Sequence, residues 1–249
     1  MNALIGYSGF VGSTLIKQFK FDELYNSKNI NEIKGKEYDI LVCCGAPGQK
    51  WLACKEPEAD LQNINVLISA LSNVKVNKFI LISTVDVFQS PLDVVETSLV
   101  DENGLNPYGL NRRILEKFVV ENFTDSIVVR LPGLVGPGLK KNIIYDFQHK
   151  NNINAIDSRA VFQFYPTVNL WADISFAISK NVKLIHLTSE PISVREVAKK
   201  AFNFEFTNEI VDSPARYDMR SLHCELKNSL YQYTKKEIIS IIRFYHQSF

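Results

Sequence analysis

The sequence predicts an α/β fold built on a doubly wound parallel sheet, with a small C-terminal lobe. Three observations predict it. Short apolar runs recur along the chain and are nearly continuous in Val, Ile and Leu, as strands covered on both faces require. Helical patterns fill the intervals between them, the alternation that builds a parallel sheet with helices on both sides. A glycine triplet stands at the first strand-to-helix junction.

Ala3–Ile5 is the first strand-like run, followed at once by Gly6-Tyr7-Ser8-Gly9-Phe10-Val11-Gly12. In this context the first glycine permits a tight turn. The second lets backbone approach a pyrophosphate, and the third lets the helix pack closely on the sheet. The opening N–H groups of the helix then face the phosphates. Gly6, Gly9, Phe10, Val11 and Gly12 are therefore candidate cofactor contacts. The second strand ends in Leu24-Tyr25-Asn26-Ser27-Lys28-Asn29. An Asp or Glu there would bond a ribose 2′-hydroxyl and select NAD. None is present, and Lys28 either faces a 2′-phosphate or is an ordinary solvated lysine. Asn26, Ser27 and Lys28 are the candidate ribose contacts, and NADP is expected ahead of NAD.

Ile40–Cys44 is the next run, with Gly45 and Ala46 at its end as further cofactor candidates. Gln49-Lys50-Trp51 follows and should lie at the C-terminal ends of the strands, where ligands bind in open α/β sheets. Lys50 is a candidate phosphate contact. Trp51 either stacks on a base or sugar or packs as an ordinary loop tryptophan. Leu61, Ile64, Ile68 and Leu71 mark a helix, and Phe79–Ile82 a strand that ends in Ser83-Thr84-Val85-Asp86. Asn106 and Pro107 open a second helix, as N-cap and first helical residue, with Ile114, Leu115 and Phe118 on its apolar side. Ile127–Val129 and Leu184–Leu187 complete the strand-like runs. Ser193-x-x-Glu196 and Thr234-x-x-Glu237 are capping boxes, each opening a helix. Residues 1–132 plus about 165–190 are assigned to a dinucleotide-binding core. About 133–164 and 191–249 form the small substrate lobe over the strand ends.

Composition excludes several classes. Net charge is +1 and the basic doublets are scattered, so no nucleic-acid stripe forms. No apolar stretch reaches the length of a membrane span. Met1 runs straight into the first strand, leaving no room for a secretory leader, so a cytoplasmic location is expected. Cys43, Cys44, Cys54 and Cys224 lack ligand spacing, and no His pairs with a Cys or acid. Neither a metal site nor a disulfide framework is expected.

Twenty-four residues beyond Thr84 stands Tyr108, in Asn106-Pro107-Tyr108-Gly109-Leu110-Asn111-Arg112. The glycine turn, the Ser-Thr strand end and this tyrosine, in this order and spacing, resemble the extended short-chain dehydrogenase/reductase superfamily, a group of Rossmann-type proteins. Within it the likeness is to the NAD-dependent epimerase/dehydratase branch acting on nucleotide sugars. Cys44-Gly45-Ala46, Asn65-Val66 and Arg130-Leu131-Pro132-Gly133 through Gly136-Pro137-Gly138 add to it, and Leu131 is by this likeness a cofactor contact. The resemblance runs from residue 1 to about 200.

The resemblance implies proton transfer by Tyr108 coupled to hydride transfer at a nicotinamide, with Thr84 sharing the substrate oxygen. Ser83 should point the other way and pack. A phenol titrates near 10, so acting as a base at neutral pH takes about 4 kcal/mol from its surroundings. The superfamily supplies a lysine one helical turn beyond the tyrosine; here that position is Arg112. Arginine keeps the charge but has a larger, planar fork. The catalytic set is thus Thr84, Tyr108 and Arg112, with a non-catalytic dinucleotide-binding protein as the alternative.

Dehydratases of the branch carry an acidic pair directly after the threonine. Val85 stands here instead, with Asp86 next, so dehydration is disfavoured and Asp86 becomes a candidate substrate contact. The wording and short length resemble keto-sugar reductases, with epimerases the near variant. Phe162-Gln163-Phe164-Tyr165 replaces an Arg-Asp-Phe segment near the substrate diphosphate, and Arg159 or Arg195 is the candidate substitute. The resemblance also implies a homodimer through the tyrosine-bearing helix and the helix before it.

Overall fold

The computed structural model describes residues 1–224 and 229–248. The elements begin with β1 (Asn2–Ile5), α1 (Phe10–Leu15), β2 (Glu23–Tyr25), β3 (Glu37–Cys43), α2 (Lys50–Lys55), α3 (Pro57–Leu71), β4 (Lys75–Thr84) and β5 (Leu92–Val94). There follow α4 (Pro107–Asn122), β6 (Ser126–Leu131), β7 (Gly133–Val135), α5 (Ile143–His149), β8 (Val161–Phe162), β9 (Phe164–Pro166) and α6 (Leu170–Ser179). The last are β10 (Leu184–His186), β11 (Ile192–Ser193), α7 (Val194–Ala201), β12 (Asp218–Met219) and α8 (Lys235–Gln247). The chain divides into two compact units. The first comprises Met1–Gln89, Leu99–Arg130 and Leu170–Ile185; the second comprises Ser90–Ser98, Leu131–Asn169 and His186–Phe249.

The first unit is built on a parallel sheet of six strands in the order β10-β6-β4-β3-β1-β2. All five apolar runs of the sequence are strands in it, with β2 added at one edge. The chain leaves β1 in one direction to reach β2, then returns to place β3 on the other side of β1. That reversal is a topological switch point, and it opens a crevice at the carboxyl ends of β1 and β3. Every residue of β6 is buried, as are Phe79 to Ile82 of β4 and Leu41 to Cys43 of β3. Helix α3 turns Ile64, Leu67 and Leu71 onto this core.

The helix starts follow the capping signals. Asn106 caps α4 by accepting from the Gly109 amide at 3.0 Å, with Pro107 in the first turn. Ser193 caps α7, and Thr234 with Glu237 completes a reciprocal capping box on α8. Gln49-Lys50-Trp51, read from sequence as loop, instead opens the short helix α2.

Among the described residues the second unit carries two-stranded pieces: β8 with β11, β5 with β12, and β7 with β9. Gln163 ties them together from a buried position. Its amide donates to the carbonyls of Ser189 and Met219, and its carbonyl accepts from the Met219 amide at 2.7 Å. Phe147 packs edge-on against Phe202, Phe204 and Phe206. Among the described residues no helix is long and apolar enough to cross a membrane, and no cluster of three potential metal ligands forms.

Candidate active site

The glycine turn occupies the switch point. Gly6 has φ +86°, and a Cβ there would stand 2.3 Å from the Cys44 carbonyl oxygen, so the turn after β1 and the turn after β3 meet backbone to backbone. A Cβ on Gly12 would stand 2.1 Å from the Gly6 carbonyl oxygen. These two glycines are required by packing. Gly9 is different, because its Cβ would meet only the Gly6 carbonyl oxygen, at 3.3 Å, leaving that side open. No side chain caps α1, since Ser13 and Thr14 bond back to the Phe10 carbonyl. A helix of six residues has little dipole, so the cradle rests on its uncapped first-turn N–H groups. This geometry fits a pyrophosphate.

At the end of β2, Asn26 accepts from the Lys28 amide at 2.9 Å and donates to the Tyr7 hydroxyl at 3.1 Å. Its side chain shapes the turn, while Ser27 and Lys28 are exposed. Gly45 and Ala46 lie just past the β3 end, Gly45 with its amide nitrogen beside Gly6 and Ala46 packed against the core. Leu131 is the buried last residue of β6.

Thr84 ends β4, and its hydroxyl accepts from the Asp86 amide at 3.2 Å. The carbonyl of Asp86 presses on the first turn of α4: a Cβ on Gly109 would stand 2.0 Å from it. Tyr108 is thereby set beside Thr84 and Asp86. The Asp86 carboxylate pairs with the Lys50 ammonium at 2.7 Å. Burial pushes the Tyr108 phenol up from its ordinary value, and Asp86 adds to the rise. Arg112, the Thr84 hydroxyl and Lys50 oppose it. The phenol therefore holds its proton at neutral pH. Ser83 faces the opposite side of β4, where its hydroxyl donates to Glu116 at 2.6 Å. Glu116 in turn receives Arg130 through two nitrogens, at 2.7 and 3.0 Å.

Arg112 is neither on the surface nor directed toward a ribose with its open fork. It is 3% exposed, and its guanidinium carbon lies 3.9 Å from the Tyr108 ring centroid. Nη1 donates to Asp60 and to the Tyr108 carbonyl; Nη2 donates to Asp60 at 2.9 Å and to the Pro47 carbonyl. Four of its five N–H groups are thus taken, and the buried Nε–H has no partner among the described residues. Asp60 is 5% exposed and also receives the Asn111 amide at 2.8 Å.

Asp60 escaped the sequence reading. One signal pointed to it: it shares the stripe of Ile64, Leu67 and Leu71 that α3 turns inward, and an acid on such a stripe needs a buried partner. Trp51, 65% exposed, is not packed as the loop alternative required. In the second unit Arg159 is held by Asp157 at 2.8 Å and Glu209 at 3.1 Å, and Arg195 lies 3.6 Å from Glu209. Cys43 is buried, its thiol pushed up to about 12 by burial.

No protein-family model matches the chain, and no curated protein does. The fold does match solved structures. One is a dTDP-4-dehydrorhamnose reductase from Yersinia enterocolitica, 16% identical, with TM-score 0.75 over 100% of this chain and 99% of that one. Another is the dTDP-4-dehydrorhamnose reductase from Bacillus anthracis in complex with NADP, 16% identical, with TM-score 0.73 over 100% and 98%. A third is a dTDP-glucose 4,6-dehydratase double mutant from Streptomyces venezuelae with NAD bound, 15% identical, with TM-score 0.73 over 99% and 97%. The chain has the Rossmann-type fold that these proteins share.

Proposed function

We propose that the chain is an NAD(P)-dependent oxidoreductase that reduces a keto group on a nucleotide-linked sugar. The observation that carries this reading is a protonated, partly buried Tyr108 set beside Thr84 in the same unit as the glycine turn. When bound, the reduced nicotinamide supplies the hydride. The turn from Gly6 to Gly12 holds the pyrophosphate through backbone N–H groups, and the acid-free end of β2 favours NADP. Tyr108 donates its proton to the substrate oxygen and Thr84 bonds the same oxygen. Arg112 lies over the ring that becomes a phenolate, a favourable place for a cation. Its unpartnered Nε–H is the one donor it retains for a ribose oxygen.

The fold neighbours support the class, since two are named as keto-sugar nucleotide reductases and one of those is in complex with NADP. A homodimer through α3 and α4 belongs to the same proposal. The commitment of Arg112 to Asp60 favours a second reading, a protein that binds the dinucleotide without turning it over. Identification of co-purifying nucleotide by mass spectrometry, followed by NADPH oxidation against a panel of keto-sugar nucleotides, separates the two. Net oxidation supports the reductase. Binding without oxidation supports the second reading, and a recycled cofactor with sugar inversion supports an epimerase.

A further inference from the structure

Tyr108 sits among four charges drawn from four elements. Arg112 is on its own helix α4, Asp60 on α3, Lys50 on α2, and Asp86 on the turn after β4. These charges form two pairs. Arg112 and Asp60 are locked together in the interior, at 3% and 5% exposure, so the charge that Arg112 presents to the ring is partly offset by its partner. Lys50 and Asp86 are joined at 2.7 Å but remain reachable, at 43% and 16% exposure. Asp86 cannot retreat, because its amide is bound to Thr84 and its carbonyl is pressed on Gly109.

A lone carboxylate so near a phenol would oppose any charge that develops on it, the more so as water is excluded. Asp86 needs a cation in place, and Lys50 provides it from the first turn of α2. We propose that Lys50 is a positioning residue for Tyr108, supplying from α2 a second positive charge beside the one that Arg112 holds over the ring. The role is electrostatic: no bond forms or breaks at Lys50, and the proton given to substrate comes from Tyr108. Lys50 stabilises the phenolate left behind and keeps Asp86 from disfavouring it. The inference rests on Tyr108 as proton donor, and it adds a cation from a neighbouring helix to the one on the tyrosine's own.

The test is the titration of Tyr108 in ligand-free protein carrying 13Cζ-labelled tyrosine, its resonance assigned by its loss in Tyr108→Phe. Asp86→Asn is expected to lower the Tyr108 midpoint, because the opposing carboxylate is gone while Lys50 stays. A lysine ammonium loses its charge at about pH 10.4, within the phenol's own range, so Lys50→Met in the Asp86→Asn background is compared with Lys50→Arg, which stays charged. Lys50→Met is expected to titrate about one pH unit higher, an effect of the size a single nearby charge produces. Lys50→Arg in the same background should leave it low. Equal midpoints for Lys50→Met and Lys50→Arg overturn the proposal. The titration requires no turnover, so it is independent of the oxidoreductase reading. Shifted titration without NADPH oxidation refutes that reading and upholds the charge assignment. Oxidation with an unmoved titration does the reverse.

Discussion

Arg112 and Asp60 form a two-point ion pair inside the first unit, with the arginine guanidinium stacked on Tyr108 and both terminal nitrogens spent on fixed acceptors. This pair decides how the tyrosine's helix is anchored. It joins α4 to α3 and, through the Pro47 carbonyl, to the loop after β3.

Breaking the pair from one side leaves a buried charge uncompensated. Asp60→Asn is expected to destabilise the protein by about 3–5 kcal/mol, measured by urea unfolding. The double variant Asp60→Leu/Arg112→Met, which removes both charges, should recover much of that loss. Additive losses in the double variant would show that the pair does not couple the two helices.

The glycine turn separates packing from binding. Gly12→Ala should destabilise the fold strongly, because its Cβ would stand 2.1 Å from the Gly6 carbonyl oxygen. Gly9→Ala should change the thermal midpoint little yet weaken NADPH binding about tenfold or more, read by nucleotide fluorescence. Equal loss of stability in both variants would argue against an open face at Gly9.

The tyrosine's placement depends on the start of α4. Asn106→Ala removes the bond to the Gly109 amide and should cost about 1 kcal/mol of stability. Because the frayed turn carries Tyr108, turnover should fall by more than the stability loss explains. Asn106→Asp, which can still cap, should restore both.

Much of this arrangement was readable in the sequence, and the reasons are local. Asn106 with Pro107, Ser193 with Glu196, and Thr234 with Glu237 each mark a helix start within four residues, and each does so in the structure. The strands announced themselves as apolar runs because both faces are covered. The Arg112–Asp60 pair was not readable, since its partners are 52 residues apart and only their meeting in space explains either. Helix α2 was missed for a related reason. Its six residues are too few to show a period, and Lys50 makes sense there only beside Asp86. The segment Leu92–Val94 belongs to the second unit through its pairing with Asp218 and Met219, a contact no local pattern encodes.

The edge of the sheet predicts an acid response. Glu23 is drawn down to about 2, first by the hydrogen bond from Lys36 and then by the Tyr25 and Tyr38 hydroxyls. Its carboxyl pKa is lower in the folded chain than in the unfolded one. The stability it contributes is therefore present above about pH 4.5 and is lost as pH falls toward 2. In urea unfolding, the difference between the parent protein and Glu23→Gln should narrow across that window. A constant difference would mean that the network does not hold the carboxylate ionised.

The most direct test of the central claim is the rate of NADPH oxidation with a keto-sugar nucleotide, compared between the parent protein and Tyr108→Phe at matched, saturating cofactor. The phenol lies beside Thr84 with its proton retained, so its loss should lower kcat by about a hundredfold or more while cofactor affinity stays unchanged. A Tyr108→Phe variant that oxidises NADPH as fast as the parent protein would contradict the account.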